Sequence, residues 1–164
     1  VVSGTGNVVI HKAPDAGIAT GNPTFNFAHQ GDYYLDLSGS GRPHATISQT
    51  VPTSLGQAYE LSFWIGASNQ VAPAATIGVR LDGVGTFLNT ALTPSAPLTN
   101  INWTQYVFSF VADSTSTTLS FRGLSATDDN ASFVDGCMIE AVPAPASALL
   151  LLAGPAMFMR RRGR

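Results

Sequence analysis

The 164-residue sequence predicts an all-β sandwich, and three observations carry that prediction. Apolar and polar residues alternate over short runs, the period of a strand with one buried face. The runs are separated by clusters of Gly, Pro, Asn, Asp and Ser, residues that turn the chain. Lys and Glu are scarce beside Gly, Ser, Thr, Pro and β-branched residues, so helix formers are few outside the C-terminal tail. The length suits one domain with a genuine core.

The elements follow in chain order. Val8, Val9 and Ile10 form a first strand after turn residues 4–7. Residues 33–37 alternate after Gly31-Asp32, with Tyr33, Leu35 and Leu37 on one face and Tyr34 and Asp36 on the other. A strand at 45–51 is closed by Pro52. Residues 58–65 give the clearest pattern: Tyr59, Leu61, Phe63 and Ile65 point one way, Ala58, Glu60, Ser62 and Trp64 the other. Residues 76–81 run into Asp82-Gly83, a turn signal ahead of 86–90, so this pair reads as a hairpin. Strands at 103–111, 117–121 and 133–140 complete the set, with Tyr106, Phe108 and Phe110 sharing a face. Many short strands spaced by polar turns build a sandwich.

Charge divides the chain at residue 141. All ten acids but only four of the eight bases (Lys12, Arg42, Arg80, Arg122) precede it, giving a body of net −6 and a tail of +4. An acidic body with scattered bases lacks the footprint of a nucleic-acid binder, which excludes that partner. The single Cys137 rules out an internal disulfide and, lying in an apolar strand pattern, is expected to be a small core residue.

The sequence offers no constellation for catalysis. His11, His29 and His44 lack metal-ligand spacing, and Ser38-Gly39-Ser40-Gly41 fails the G-x-S-x-G pattern. Asp128-Asp129 reads as a solvated turn rather than half of a glycosidase carboxylate pair. The expectation is therefore a protein that is not an enzyme. Sugar binding asks for less: an aromatic platform and a few orienting polar groups. The available aromatics are Trp64, Trp103, Tyr33 and Tyr34. Trp64 and Tyr34, both opposite the core set, are the candidate ligand-binding residues, with loops 38–43 and 68–75 to line a site.

The tail has its own logic. Val142-Pro143-Ala144-Pro145 leads into an almost uncharged 14-residue run, 146–159, which ends on Arg160, Arg161 and Arg162, then Gly163 and Arg164. A run of that length is marginal against the roughly 18 apolar residues a bilayer span needs, but it shows no polar face, and arginines beside an apolar segment stay on the cytoplasmic side. This order resembles the C-terminal sorting signal of bacterial PEP-CTERM proteins, with Ala144 where that family usually has Glu. The resemblance implies a C-terminal hydrophobic helix that anchors residues 142–164 in the inner membrane, and an exosortase-type sorting enzyme as partner. No secretory signal opens the chain, so an exported protein would here be a fragment or a processed form.

A second resemblance spans most of residues 1–141. Gly31-Asp32-Tyr33-Tyr34-Leu35-Asp36-Leu37-Ser38-Gly39, Ile47-Ser48-Gln49-Thr50-Val51 and Gly56-Gln57-Ala58-Tyr59-Glu60-Leu61-Ser62-Phe63 come first. Trp103-Thr104-Gln105-Tyr106-Val107-Phe108-Ser109-Phe110, Ser116-Thr117-Thr118-Leu119-Ser120-Phe121 and Phe133-Val134-Asp135-Gly136 follow. In order and spacing they resemble the galactose-binding-like domains of the DUF642 and choice-of-anchor C type. That implies a jelly-roll β-sandwich, N-terminally truncated here, with envelope or extracellular residence. It also implies a structural Ca²⁺ held with the help of Asp135, since hard oxygen ligands suit that ion. The sequence thus ranks first an exported, non-catalytic surface or matrix protein associated with envelope or exopolysaccharide. A carbohydrate-binding module stands second and a glycan-active enzyme a distant third.

Overall fold

The computed structural model describes residues 2–3, 8–13, 15–16, 25–26, 28–37, 46–69, 76–83, 88–92, 101–124 and 130–143. Alternating sequence segments appear in it as strands: β1 (Val2–Ser3), β2 (Val9–Lys12), β3 (Asp15–Ala16), β4 (Phe25–Asn26), β5 (Tyr33–Asp36) and β6 (Thr46–Pro52). Then come β7 (Ala58–Asn69), β8 (Ile77–Asp82), β9 (Leu88–Leu92), β10 (Thr104–Val111), β11 (Ser116–Gly123) and β12 (Asn130–Ala141). Each strand expected from alternation is present, and the 76–90 hairpin is the antiparallel pair β8–β9. The two-residue strands β1, β3 and β4 are too short to leave a period in the sequence.

Two five-stranded antiparallel sheets form the body, one ordered β1-β6-β11-β8-β9 and the other β10-β7-β12-β5-β2. From β5 to β8 and again from β9 to β12 the chain passes from one sheet to the other at each step, so apart from the β8–β9 pair the neighbours among these strands are not consecutive in sequence.

The core lies between the sheets because each long strand turns one apolar face inward. From the β10-to-β2 sheet come Leu37, Leu61, Phe63, Ile65, Phe110 and Val134; from its partner come Ile77, Val79, Leu81, Leu119 and Phe121. Phe63 is fully buried. It stacks on Tyr106 and Phe108 at 6.0 and 5.9 Å and meets Phe121 of the other sheet edge-on at 5.0 Å. Such ring pairs add about 0.5–1.5 kcal/mol each beyond the area they bury.

A second, smaller cluster sits on the outer face of the β10-to-β2 sheet. Tyr34 and Phe133 are its buried centre, and Ala13, Ala28, Ile101 and Trp103 pack over them. Trp103 can lie flat on β7 because residue 66 is glycine: a Cβ there would collide with the Ile101 side chain and touch the Trp103 ring. Tyr34 stacks on His11 at 5.1 Å, and His11 Nε2 faces Asp36 Oδ2 at 3.5 Å.

Candidate functional site

The inner face of the β10-to-β2 sheet runs beyond the core it helps to build. Ile65, Val134, Leu35 and Ile10 stand in register across β7, β12, β5 and β2 and share one face. Along that row exposure climbs from 0% at Ile65 and 2% at Val134 to 67% at Ile10. The edge strand thus carries an apolar surface that the facing sheet does not cover. Tyr33, on the same face as Leu35 and 55% exposed, stands at its end.

Ile10, Tyr33, Leu35 and Val134 line a hollow of about 540 Å³ whose far wall is Gly136 and Cys137 of β12, a volume in the range of small-ligand sites. The wall is shaped by a β-bulge. Asp135 pairs with Trp64 and Met138 with Ser62, so Gly136 and Cys137 together oppose Phe63. Gly136 adopts φ +56°, a conformation that favours glycine, and a Cβ there would press on Trp64 and on the Gln30 side chain at 3.1 Å.

Asp135 ties the bulge to the turn that delivers Tyr33. Its Oδ2 accepts the backbone N–H groups of His29 and Gln30 at 2.7 and 2.9 Å, and Oδ1 accepts that of Gly136 at 2.6 Å. The His29 ring stacks on Trp64 with centroids 3.6 Å apart. Residues 29–32 then turn the chain directly into Tyr33.

The expected site residues fall in different places. Tyr34 is only 2% exposed and wedged among His11, Phe133 and Trp103, which leaves little of its ring open to a sugar. Trp64 is half-buried with His29 covering one face. The exposed platform is the neighbouring Tyr33, which alternation groups with core residues; it is exposed in β5, one strand in from the edge strand β2.

The expectation for Cys137 is corrected: it is exposed rather than internal, because the bulge carries it to the rim of the hollow. Apolar surroundings beyond its immediate contacts still disfavour the thiolate, pushing the thiol up to about 11.

Asp135 meets three amide donors, the opposite polarity to a cation. No group of three or more His, Cys, Asp or Glu that could hold a metal ion comes together among the described residues. The residues described around Asp135 do not fit a Ca²⁺ site.

Of the sorting motif, Val142 and Pro143 are exposed at the end of β12. Ala144, Pro145, Arg160, Arg161 and Arg162 lie outside the described residues, as do Asp128, Asp129 and loops 38–43 and 70–75. No helix among the described residues is long and apolar enough to cross a membrane.

A second hollow, about 400 Å³, lies on the outer face of the other sheet between Thr46, Arg80, Ser120 and Arg122. It contains no aromatic platform, and Arg80 is tied to Asp82, Nη2 to Oδ1 at 2.9 Å.

A protein-family model described as "Protein of unknown function (DUF642)" matches residues 13–143. No curated protein matches the chain. Among solved structures, TmCBM61 in complex with β-1,4-galactotriose aligns at TM-score 0.61 and 19% identity, covering 87% of this chain and 88% of that one. The CBM22-1 xylan-binding domain from Paenibacillus barcinonensis Xyn10C aligns at 0.52 and 15%, covering 88% and 87%. The K1 cleaved adhesin domain of Lys-gingipain from Porphyromonas gingivalis W83 aligns at 0.50 and 17%, covering 84% and 100%. At these identities the likeness shows the fold: an all-β sandwich similar to that of carbohydrate-binding modules.

Proposed function

The chain belongs to the DUF642 family, and from that footing we propose that it is a non-catalytic carbohydrate-binding module acting at the cell surface or in the extracellular space. The sequence alone ranks the envelope role first and sugar binding second. One observation favours the reverse order: exposed Tyr33 at the mouth of an apolar hollow, on a sandwich with the fold of sugar-binding modules. A pyranose presents an apolar face of C–H groups, and a Tyr ring free on one side can stack against it while hydroxyls stay in water. Asp135, at the wall of the hollow, turns its carboxylate to the Trp64 side of the sheet, where backbone amides engage it, which fits binding without hydrolysis.

The tail reading joins this one. The order of Val142-Pro143-Ala144-Pro145, apolar run and arginine cluster supports sorting through an exosortase-type enzyme and tethering at the inner membrane before processing. In a host carrying that enzyme the released protein then ends near Pro145, and a secreted species whose intact mass retains Arg160 to Arg164 would refute it. Sugar binding is tested by presenting the full chain to an array of envelope and plant polysaccharide fragments. Binding of a defined glycan is expected; silence across the array returns the envelope role without sugar binding to first place.

A further inference from the structure

The chain holds a single lysine, Lys12, and the fold sets it beside the exposed tyrosine. In the antiparallel β2–β5 ladder Lys12 is the direct register partner of Tyr33, as Ile10 is of Leu35. Directly opposed residues send their side chains to the same face with Cβ atoms about 5 Å apart. Lys12 therefore leaves the sheet on the face that carries Tyr33, beside the residues that line the hollow, and it is exposed.

The remaining side chains of the hollow say what kind of sugar this pair can recognise. Ile10, Leu35 and Val134 are apolar, and Asp135 directs its carboxylate to the Trp64 side of the sheet, where it already accepts three backbone N–H groups. A neutral sugar is usually told apart by amide and carboxylate side chains that pair with its hydroxyls, and among the described residues no such side chain lies open in this lining. Among the described residues, the register partner of Tyr33 supplies a strong donor on this face: the Lys12 ammonium, whose natural counterpart is a carboxylate. Resting on the reading of the hollow as a sugar site, we propose that it selects acidic glycans, with a uronate ring stacked on Tyr33 and its carboxylate held by Lys12. Lysine on an edge strand also discourages pairing with other strands, but that role has no bearing on which sugar binds.

The test uses the full chain and two probes of equal length, β-1,4-galactotriose, the ligand of the similar TmCBM61 structure, and a trimeric oligogalacturonate, in which C6 is a carboxylate. Calorimetric titration of the wild type is expected to favour the oligogalacturonate by about tenfold, the size of one exposed charge-assisted hydrogen bond. Lys12→Met should bring the oligogalacturonate down to the level of galactotriose, while Lys12→Arg keeps the preference. Galactotriose binding that depends on Tyr33 without a preference for the acid overturns this inference alone, as does a preference that survives Lys12→Met. Failure of both trimers to bind overturns the sugar-site reading beneath it as well.

Discussion

Asp135 and His29 are 106 positions apart in sequence, and the carboxylate Oδ2 of one accepts the backbone N–H of the other at 2.7 Å. With the companion bonds from Gln30 and Gly136, this contact pins the 29–32 turn to the bulge of β12. It thereby sets where Tyr33 enters the hollow. Charge-assisted bonds to backbone amides are among the stronger hydrogen bonds a fold can make.

Removing that carboxylate leaves three N–H donors to find other partners. Asp135→Ala should cost about 1–3 kcal/mol in chemical denaturation and weaken sugar binding together with stability. Asp135→Asn, which keeps one acceptor oxygen, should fall between. A denaturation midpoint unchanged by Asp135→Ala would show that the turn does not depend on this staple.

The face assignment of β7 is tested by a contrasting pair. Phe63 is fully buried while Glu60, three residues before it, is exposed on the opposite face. Phe63→Ala should cost roughly 3–5 kcal/mol, whereas Glu60→Ala should stay within about 0.5 kcal/mol. Equal, small shifts would contradict the packing of Tyr106, Phe108 and Phe121 around Phe63.

How much of this was legible in the sequence follows from what alternation encodes. The two faces of 33–37, 58–65 and 103–111 are as read, because a period of two survives wherever one side of a strand is buried. Alternation says which face a residue shares and not how far the opposing sheet extends. Tyr33 therefore looked like a partner of Leu35 and Leu37; it is exposed in β5, one strand in from the edge strand β2, and that strand order is a fact of topology. Tyr34 stood on the correct outer face, but the strand pattern alone does not reveal that Ala13, Ala28, Ile101 and Trp103 cover it. The bulge misplaced Cys137, since one extra residue in β12 breaks the register that the pattern assumes. A glycine inside an apolar strand was the available signal for it.

Cys137 gives a chemical readout of its surroundings. With the thiol raised from 9.0 to about 11, its thiolate is scarce at pH 8, and alkylation by iodoacetamide should run about 10- to 100-fold slower than that of an unperturbed thiol. Because ionisation is delayed in the folded state, the unfolded chain gains from deprotonation first. The contribution to stability is level below about pH 9 and falls as pH rises toward 11. Alkylation at the rate of a free thiol would contradict the apolar setting.

The central claim is that Tyr33, and not Trp64 or Tyr34, is the surface on which a sugar rests. Titrating the best-bound oligosaccharide into wild type, Tyr33→Ala and Trp64→Phe measures it most directly. The wild type should bind in the micromolar to millimolar range, about −8 to −4 kcal/mol. Tyr33→Ala should lose at least about tenfold, consistent with one aromatic platform, with its thermal midpoint close to wild type because the ring is half exposed. Trp64→Phe, which keeps an aromatic ring beneath His29, should bind as the wild type does. Full affinity in Tyr33→Ala would contradict the account, as would a loss confined to Trp64→Phe.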